Sequence, residues 1–305
     1  MNTLHYIVEP VSGELERVEK CLADLLSSIE EGHAIRNPYT RTADRAVAHL
    51  FRIRGKRLRP VLFLLSAKSA GAAPGGSGLA ARVPGTRSDE LVQIATAIEL
   101  IHSASLVHDD VIDEAVLRRG RASVNERYGN KIAVLSGDIL FTQFYSIVSS
   151  LELVPPEVRL RLLALFTDVT RRMCFGEIYE EQMRNRRKPP EIEDYLDTID
   201  NKTASLMSVC CEAGALVVGA SDEIVKTLRD FGHHLGMSYQ LLDDLDDRDG
   251  IYPDSARIAD VAASHVRAAT DMISHLPRSE ATDRLRAIVS AVCGSRAPDA
   301  AERSA

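Results

Sequence analysis

Residues 99–113 read Glu-Leu-Ile-His-Ser-Ala-Ser-Leu-Val-His-Asp-Asp-Val-Ile-Asp, an apolar helical stretch that runs into three aspartates. A second stretch, residues 239–247, reads Tyr-Gln-Leu-Leu-Asp-Asp-Leu-Asp-Asp. Positions i and i+4 of a helix lie about 40° apart, so Asp109 with Asp113, and Asp243 with Asp247, can each aim two carboxylates at one point. Each pair is a clamp for a hard cation. Carboxylate oxygens with no nearby cysteine suit magnesium, which keeps several waters and binds one or two carboxylates together with substrate phosphates. Two facing clamps suggest a diphosphate between them.

The competing reading of such acidic runs is solvated surface. A calcium loop built on Gly250 fails, because Leu245 and Ala256 would hold its first and last ligand positions. What favours the clamp is its company of basic clusters. Gly55-Lys56-Arg57-Leu58-Arg59-Pro60 leads into Val61-Leu62-Phe63-Leu64-Leu65. Pro60 suits the first turn of a helix, whose free N–H groups and positive dipole would join Lys56 and Arg59 in an anion site. Arg118-Arg119-Gly120 follows the first pentad closely enough for a guanidinium to reach a metal-bound diphosphate. His102 shares a stripe with Leu106, Asp109 and Asp113, although a satisfied core histidine would read the same way. Lys202-Thr203 and Gln240 stand on expected helices, with Gln240 nearly one turn before Asp243.

Apolar residues recur at spacings of three and four rather than alternating, so the chain is expected to be all-α. Helices are expected near 11–31, 41–53, 60–70, 89–109, 131–152, 156–184, 191–219, 222–248, 256–276 and 279–293. Pro155-Pro156 and Pro189-Pro190 mark helix starts, and Ala70 to Ser88 reads as a surface loop. No polar linker divides the 305 residues, so one large bundle over 1–305 is expected. A net charge of −7 argues against nucleic acid as partner. Cys21, Cys174, Cys210, Cys211 and Cys293 form no disulfide framework, which suits a reducing, cytoplasmic setting. No signal peptide and no apolar run of transmembrane length is read.

The segments Gly55 to Pro60, Glu99 to His102 through Asp110 to Gly120, Ser136-Gly137-Asp138, Gly176-Glu177, Lys202-Thr203-Ala204 and Tyr239 to Asp244 resemble, in order, the motifs of trans-isoprenyl diphosphate synthases. The resemblance runs from about residue 10 to 250. It implies a single helical bundle of the isoprenoid synthase type, its two acidic motifs facing across a deep central cavity. It further implies Asp109, Asp113 and Asp243 as magnesium ligands, with Asp110, Asp244 and Asp247 in support. Lys56, Arg59, His102 and Arg119 resemble the isopentenyl diphosphate site. Arg118, Lys202 and Gln240 resemble contacts to the allylic prenyl diphosphate, and Thr203 helps place the carbocation. A homodimer is implied, with a hetero-oligomer as the alternative.

One departure stands out. The family continues after the second pentad with glycine-lysine pairs and two further helices, whereas this chain reads Arg248-Asp249-Gly250-Ile251-Tyr252-Pro253 and has no lysine beyond Lys226. An internal shortening after about residue 250 is expected, with Arg248 or Arg257 as candidate substitutes. A partner-dependent subunit and a class I terpene cyclase therefore stand beside an elongating prenyltransferase. The cyclase pattern fails, because Arg248 stands four residues after Asp244. Short-chain members of the family carry a bulky aromatic four or five residues before the first aspartate. Here Ser105 and Ala104 occupy those places, Ile101 and Ile98 continue the face, and Phe141, Phe144 and Tyr145 are candidate floors, so a product longer than farnesyl diphosphate is expected.

Overall fold

The computed structural model describes residues 3–36, 41–51, 55–72, 87–185, 190–247 and 252–294. They are overwhelmingly helical: α1 (Thr3–Val8), α2 (Ser12–Arg36), α3 (Arg41–Phe51), α4 (Leu58–Gly71), α5 (Arg87–Ile112), α6 (Val124–Tyr128), α7 (Asn130–Ser149), α8 (Pro156–Arg184), α9 (Ile192–Ile199), α10 (Ser205–Val217), α11 (Asp222–Asp247), α12 (Ser255–Ser274) and α13 (Glu280–Gly294). A two-residue hairpin, β1 (Leu117–Arg118) and β2 (Arg121–Ala122), pairs antiparallel with Leu117 opposite Ala122. The all-α expectation holds. The 191–219 helix is in fact α9, a π-helical turn over Asp200–Ala204, and α10. The short helices α1 and α6 and the hairpin had no periodic signal long enough to read. Much of the expected Ala70 to Ser88 loop, and Arg248 to Ile251, lie outside the described residues.

The contacts cluster into two compact units, one of residues 12–61 and 85–163, the other of 1–11, 62–84 and 164–305. In the first, α5 is the core helix, with Ile94, Ile98, Leu100 and Ile101 wholly inaccessible. Each such side chain contributes roughly 1.5–3 kcal/mol of burial. α7 packs along α5 through Ala133, Gly137, Leu140, Phe144 and Val148, the i, i+4, i+7 stripe of a helix with one apolar face. Gly137 faces His108, and a Cβ there would stand 2.2 Å from the ring Nε2. In the second unit α10 is buried at every position, α11 packs on it, and α12 lies along α11 through Ile258, Ala262, Ala269 and Ile273.

By length and composition α5 (from Asp89) and α7 are each apolar enough to cross a membrane, which corrects the reading that no run reaches that length. In α5 two thirds of the apolar window is buried in the unit's core, and in α7 one third is.

Gly176 of α8 lies against the π-helical turn, where a Cβ would stand 2.6 Å from the Lys202 backbone nitrogen. Backbone cannot retreat as a flexible side chain can. Gly176→Ala is therefore expected to destabilise the protein by about 1–3 kcal/mol, the usual cost of overpacking. Urea unfolding of the two proteins measures it, and an unchanged midpoint would disprove the close approach.

Candidate active site

The unit containing α5 brings both sequence-predicted basic clusters together. The Gly55–Arg57 turn precedes α4, and a Cβ on Gly55 would meet the Arg119 guanidinium at 2.8 Å. Arg119 sits at the tip of the hairpin with φ 50°, followed by Gly120 with φ 76°. Two successive positive φ values suit the tight turn that matches a hairpin's twist. Arg57 also has positive φ, 51°, and its guanidinium is clasped by Glu19 at 2.7 Å and Glu99 at 2.5 Å. A non-glycine residue in this region is held there by its surroundings, and such strain concentrates at functional sites. Here the carboxylates of α2 and α5 provide the hold.

A small cleft, open to solvent, is lined among others by Arg57, Glu99, Asp110, Arg118, Arg119 and His49. Arg59 lies beside it, its guanidinium 3.0 Å from His102 Nε2. Burial first, and then the charges of Arg59, Arg119, Arg118 and Arg57, hold His102 well below the ordinary histidine value of 6.5. The ring therefore stays neutral among four cations. Lys56 is exposed on the same turn.

Within the first pentad the carboxylates divide. Asp110 is buried and receives Arg118 Nε at 2.7 Å on each of its oxygens. Asp109 is partly accessible and Asp113 exposed. The Asp113 amide donates to the Asp109 carbonyl at 2.8 Å, so the helical register of the pair persists one residue past α5.

The second unit assembles a separate polar chain. Thr203 Oγ1 donates to Gln240 Oε1 at 3.0 Å, Gln240 Nε2 donates to Asp244 Oδ1 at 2.8 Å, and Tyr195 OH donates to Asp244 Oδ2 at 2.5 Å. Burial raises the Asp244 carboxyl above its ordinary range against the pull of these two donors. Lys202 lies between Glu177, at 2.8 Å, and Glu180. Those two carboxylates raise its ammonium despite burial, the largest single influence, which works the other way. Thr203 and Lys202 both stand on the π-helical turn, a local geometry frequent at functional sites. Asp243 is partly accessible, and the Asp247 side chain lies outside the described residues. Arg257, one proposed substitute for the missing lysine, approaches Glu193 at 4.0 Å, and Arg248 lies outside the described residues.

Sequence reasoning missed Arg57, whose positive φ leaves no trace in composition, and Tyr195, which meets Asp244 from 49 residues away. Asp110 and Asp244 are engaged by protein donors, whereas Asp109 and Asp243 are partly accessible and Asp113 is exposed. Among the described residues neither pentad gathers three carboxylates at one point. Magnesium needs only one or two, with water and phosphate supplying the rest, so the donor set fits it.

The polyprenyl synthetase family model matches residues 40–257. The chain belongs to the polyprenyl synthetase family. Its relatives are prenyl diphosphate synthases, which are prenyltransferases. Heptaprenyl diphosphate synthase component 2 of Geobacillus stearothermophilus is 38% identical over 239 residues, 78% of this chain and 68% of that protein. Octaprenyl diphosphate synthase of Haemophilus influenzae is 38% identical over 192 residues, 63% of this chain but only 52% of its own length. The crystal structure of a polyprenyl synthase from Caulobacter crescentus, complexed with calcium and isoprenyl diphosphate, superposes with TM-score 0.75 at 22% identity. That likeness covers 96% of this chain and 98% of the other, and shows the family's all-α fold.

The neutral His102 ring has a consequence for stability. Its folded value lies below 6.5, so as pH falls the unfolded chain takes up the proton first. The contribution is fully present above about pH 6.5 and is lost as pH falls toward the folded value. His102→Gln is expected to flatten the loss of stability between pH 7 and 5, read from urea midpoints. A slope identical to that of the parent would refute the assignment.

Proposed function

We propose that this polyprenyl synthetase is a magnesium-dependent prenyltransferase that condenses isopentenyl diphosphate with an allylic prenyl diphosphate, making a trans-polyprenyl diphosphate longer than farnesyl. The observation that carries the reading is the convergence of Arg57, Arg59, Arg118 and Arg119 around one cleft beside the first acidic pentad. Lys56, Arg59 and Arg119 hold the isopentenyl diphosphate, and His102 positions the Arg59 guanidinium. A fork of guanidinium donors matches the diphosphate oxygens. Arg118, Lys202 and Gln240 contact the allylic diphosphate. Bound magnesium, held by Asp109 and Asp113 and by Asp243 with Asp247, would supply the charge that makes the diphosphate a leaving group. The allylic C–O bond breaks, the isopentenyl double bond attacks the resulting cation, and a proton passes to the released diphosphate. Thr203, fixed by Gln240, turns its hydroxyl dipole toward the cation. The protein contributes position and preorganised charge, and no nucleophilic side chain is needed.

A second reading is favoured by a specific observation. No lysine follows Lys226, and a relative is named as one component of a heptaprenyl diphosphate synthase. On that reading the chain turns over only with a partner, as part of a hetero-oligomer rather than a homodimer. Incubation of the purified protein alone with farnesyl diphosphate, isopentenyl diphosphate and magnesium decides between them: longer diphosphates support the first, and their appearance only on adding a partner subunit supports the second.

In the active assembly, Asp109→Ala and Asp243→Ala are each expected to lower turnover by roughly 10²–10³, the scale of one lost electrostatic stabiliser. Turnover near that of the parent at saturating magnesium would eliminate that carboxylate as a ligand.

Product length rests on α5. Ala104 is fully buried, and Ser105 folds its hydroxyl back on the His102 carbonyl at 2.9 Å. Neither side chain projects bulk. Ile101 and Ile98 continue the buried face, and Phe144 is buried on α7 with Tyr145 against it. Ala104→Phe is expected to shorten the products while sparing the first condensation, as chromatography of the dephosphorylated prenols would show. An unchanged distribution from a folded variant would mean that this face does not bound the growing chain.

A further inference from the structure

Within α11 the chain reads Gly232-His233-His234-Leu235, and α12 carries His265. The packing of α12 along α11 brings the three rings together. His234 Nδ1 and His265 Nδ1 lie 2.9 Å apart, and ring centroids are separated by 5.1 Å for His233 and His234, 5.1 Å for His234 and His265, and 6.0 Å for His233 and His265. One ring nitrogen from each lies within 4.8 Å of the others. None of these residues takes part in the chemistry above, and Asp243 lies nine residues along α11, about 13.5 Å at 1.5 Å per residue.

Three imidazoles this close can turn their lone pairs to one ion, which would displace the proton that His234 Nδ1 and His265 Nδ1 share at hydrogen-bond distance. Burial depresses both His234 and His265, the latter to about 4. The fourth party is Asp200. Its Oδ2 receives Arg172 at 2.7 Å, while its buried Oδ1 lies 3.1 Å from His233 Nδ1 without a well-aligned hydrogen bond. With Asp200 facing its Nδ1, His233 would ligate through Nε2, the carboxylate orienting the ring as partners of metal-bound histidines do. Nitrogen donors of this kind suit zinc and its first-row neighbours and not magnesium.

We propose that His233, His234 and His265 bind one zinc-class divalent transition metal ion, with Asp200 orienting His233, so that the ion ties α12 to α11. A three-histidine set leaves a fourth position for water. Asp200 begins the π-helical turn that carries Lys202 and Thr203, so the ion also steadies that turn. The assignment of the ion does not rest on the proposed prenyl transfer.

The test uses untagged, full-length protein, stripped with chelator and titrated with cobalt(II). One equivalent per chain should bind and give visible d–d absorption, displaced by zinc but not by excess magnesium. Zinc at a hundredfold excess over its Kd should raise the thermal midpoint by a few degrees. His265→Gln and His234→Gln should abolish the band, and Asp200→Asn should weaken zinc binding by about 10–100-fold. A band that survives in His265→Gln, or one that vanishes in Asp109→Asn, would place the ion on the carboxylates and overturn the proposal. X-ray absorption of the zinc-loaded parent gives a reading that needs no variant to fold. Imidazole scattering from about three rings supports the site, and an oxygen shell without it refutes the site, as does the absence of stoichiometric binding.

Discussion

The buried guanidinium of Arg57 is the constraint on which the basic cleft depends. It is held by Glu19 from α2 and Glu99 from α5, in a backbone conformation that few residues other than glycine adopt. Burial raises the Glu99 carboxyl, and Arg57 works against that rise. Removing one partner of such a pair commonly costs about 3–5 kcal/mol, because the other is left buried and uncompensated. The turn that presents Lys56 and Arg59 is therefore fixed by two helices and not by its own sequence preference. Gly55 allows the Arg119 guanidinium to lie directly against that turn.

The same economy of charge divides each acidic pentad. Asp110 holds Arg118, and Asp244 is held by Tyr195 and Gln240. These carboxylates shape their surroundings and are spent in doing so. Their neighbours Asp109 and Asp243 remain partly accessible. A pentad thus needs more aspartates than a metal needs ligands, because one of them orients the groups around it.

Close backbone contact does for the second unit what ion pairing does for the first. Gly176 brings α8 onto the π-helical turn, and Gly236 brings α11 onto Ala204, where a Cβ would stand 2.5 Å from the Ala204 Cα. Both glycines press on the segment that carries Lys202 and Thr203. The extra residue of a π turn shifts the helical phase, so Thr203 can reach Gln240 while Lys202 reaches Glu177 and Glu180.

Helical periodicity determined the fold class and nearly every long helix, because the i, i+3, i+4 pattern is the local image of a buried face. It also placed Asp109 with Asp113 in one register, and a helix start close to Arg59 was legible in Pro60, although α4 begins two residues earlier, at Leu58. The meeting of Arg59 with His102, of Gly55 with Arg119 and of Tyr195 with Asp244 was decided only in three dimensions, between segments 43, 64 and 49 residues apart. So was the gathering of His265 with His233 and His234. Periodicity reports which face of a helix is buried. It carries no record of which other helix covers that face, and the partner of every buried charge is set by that choice.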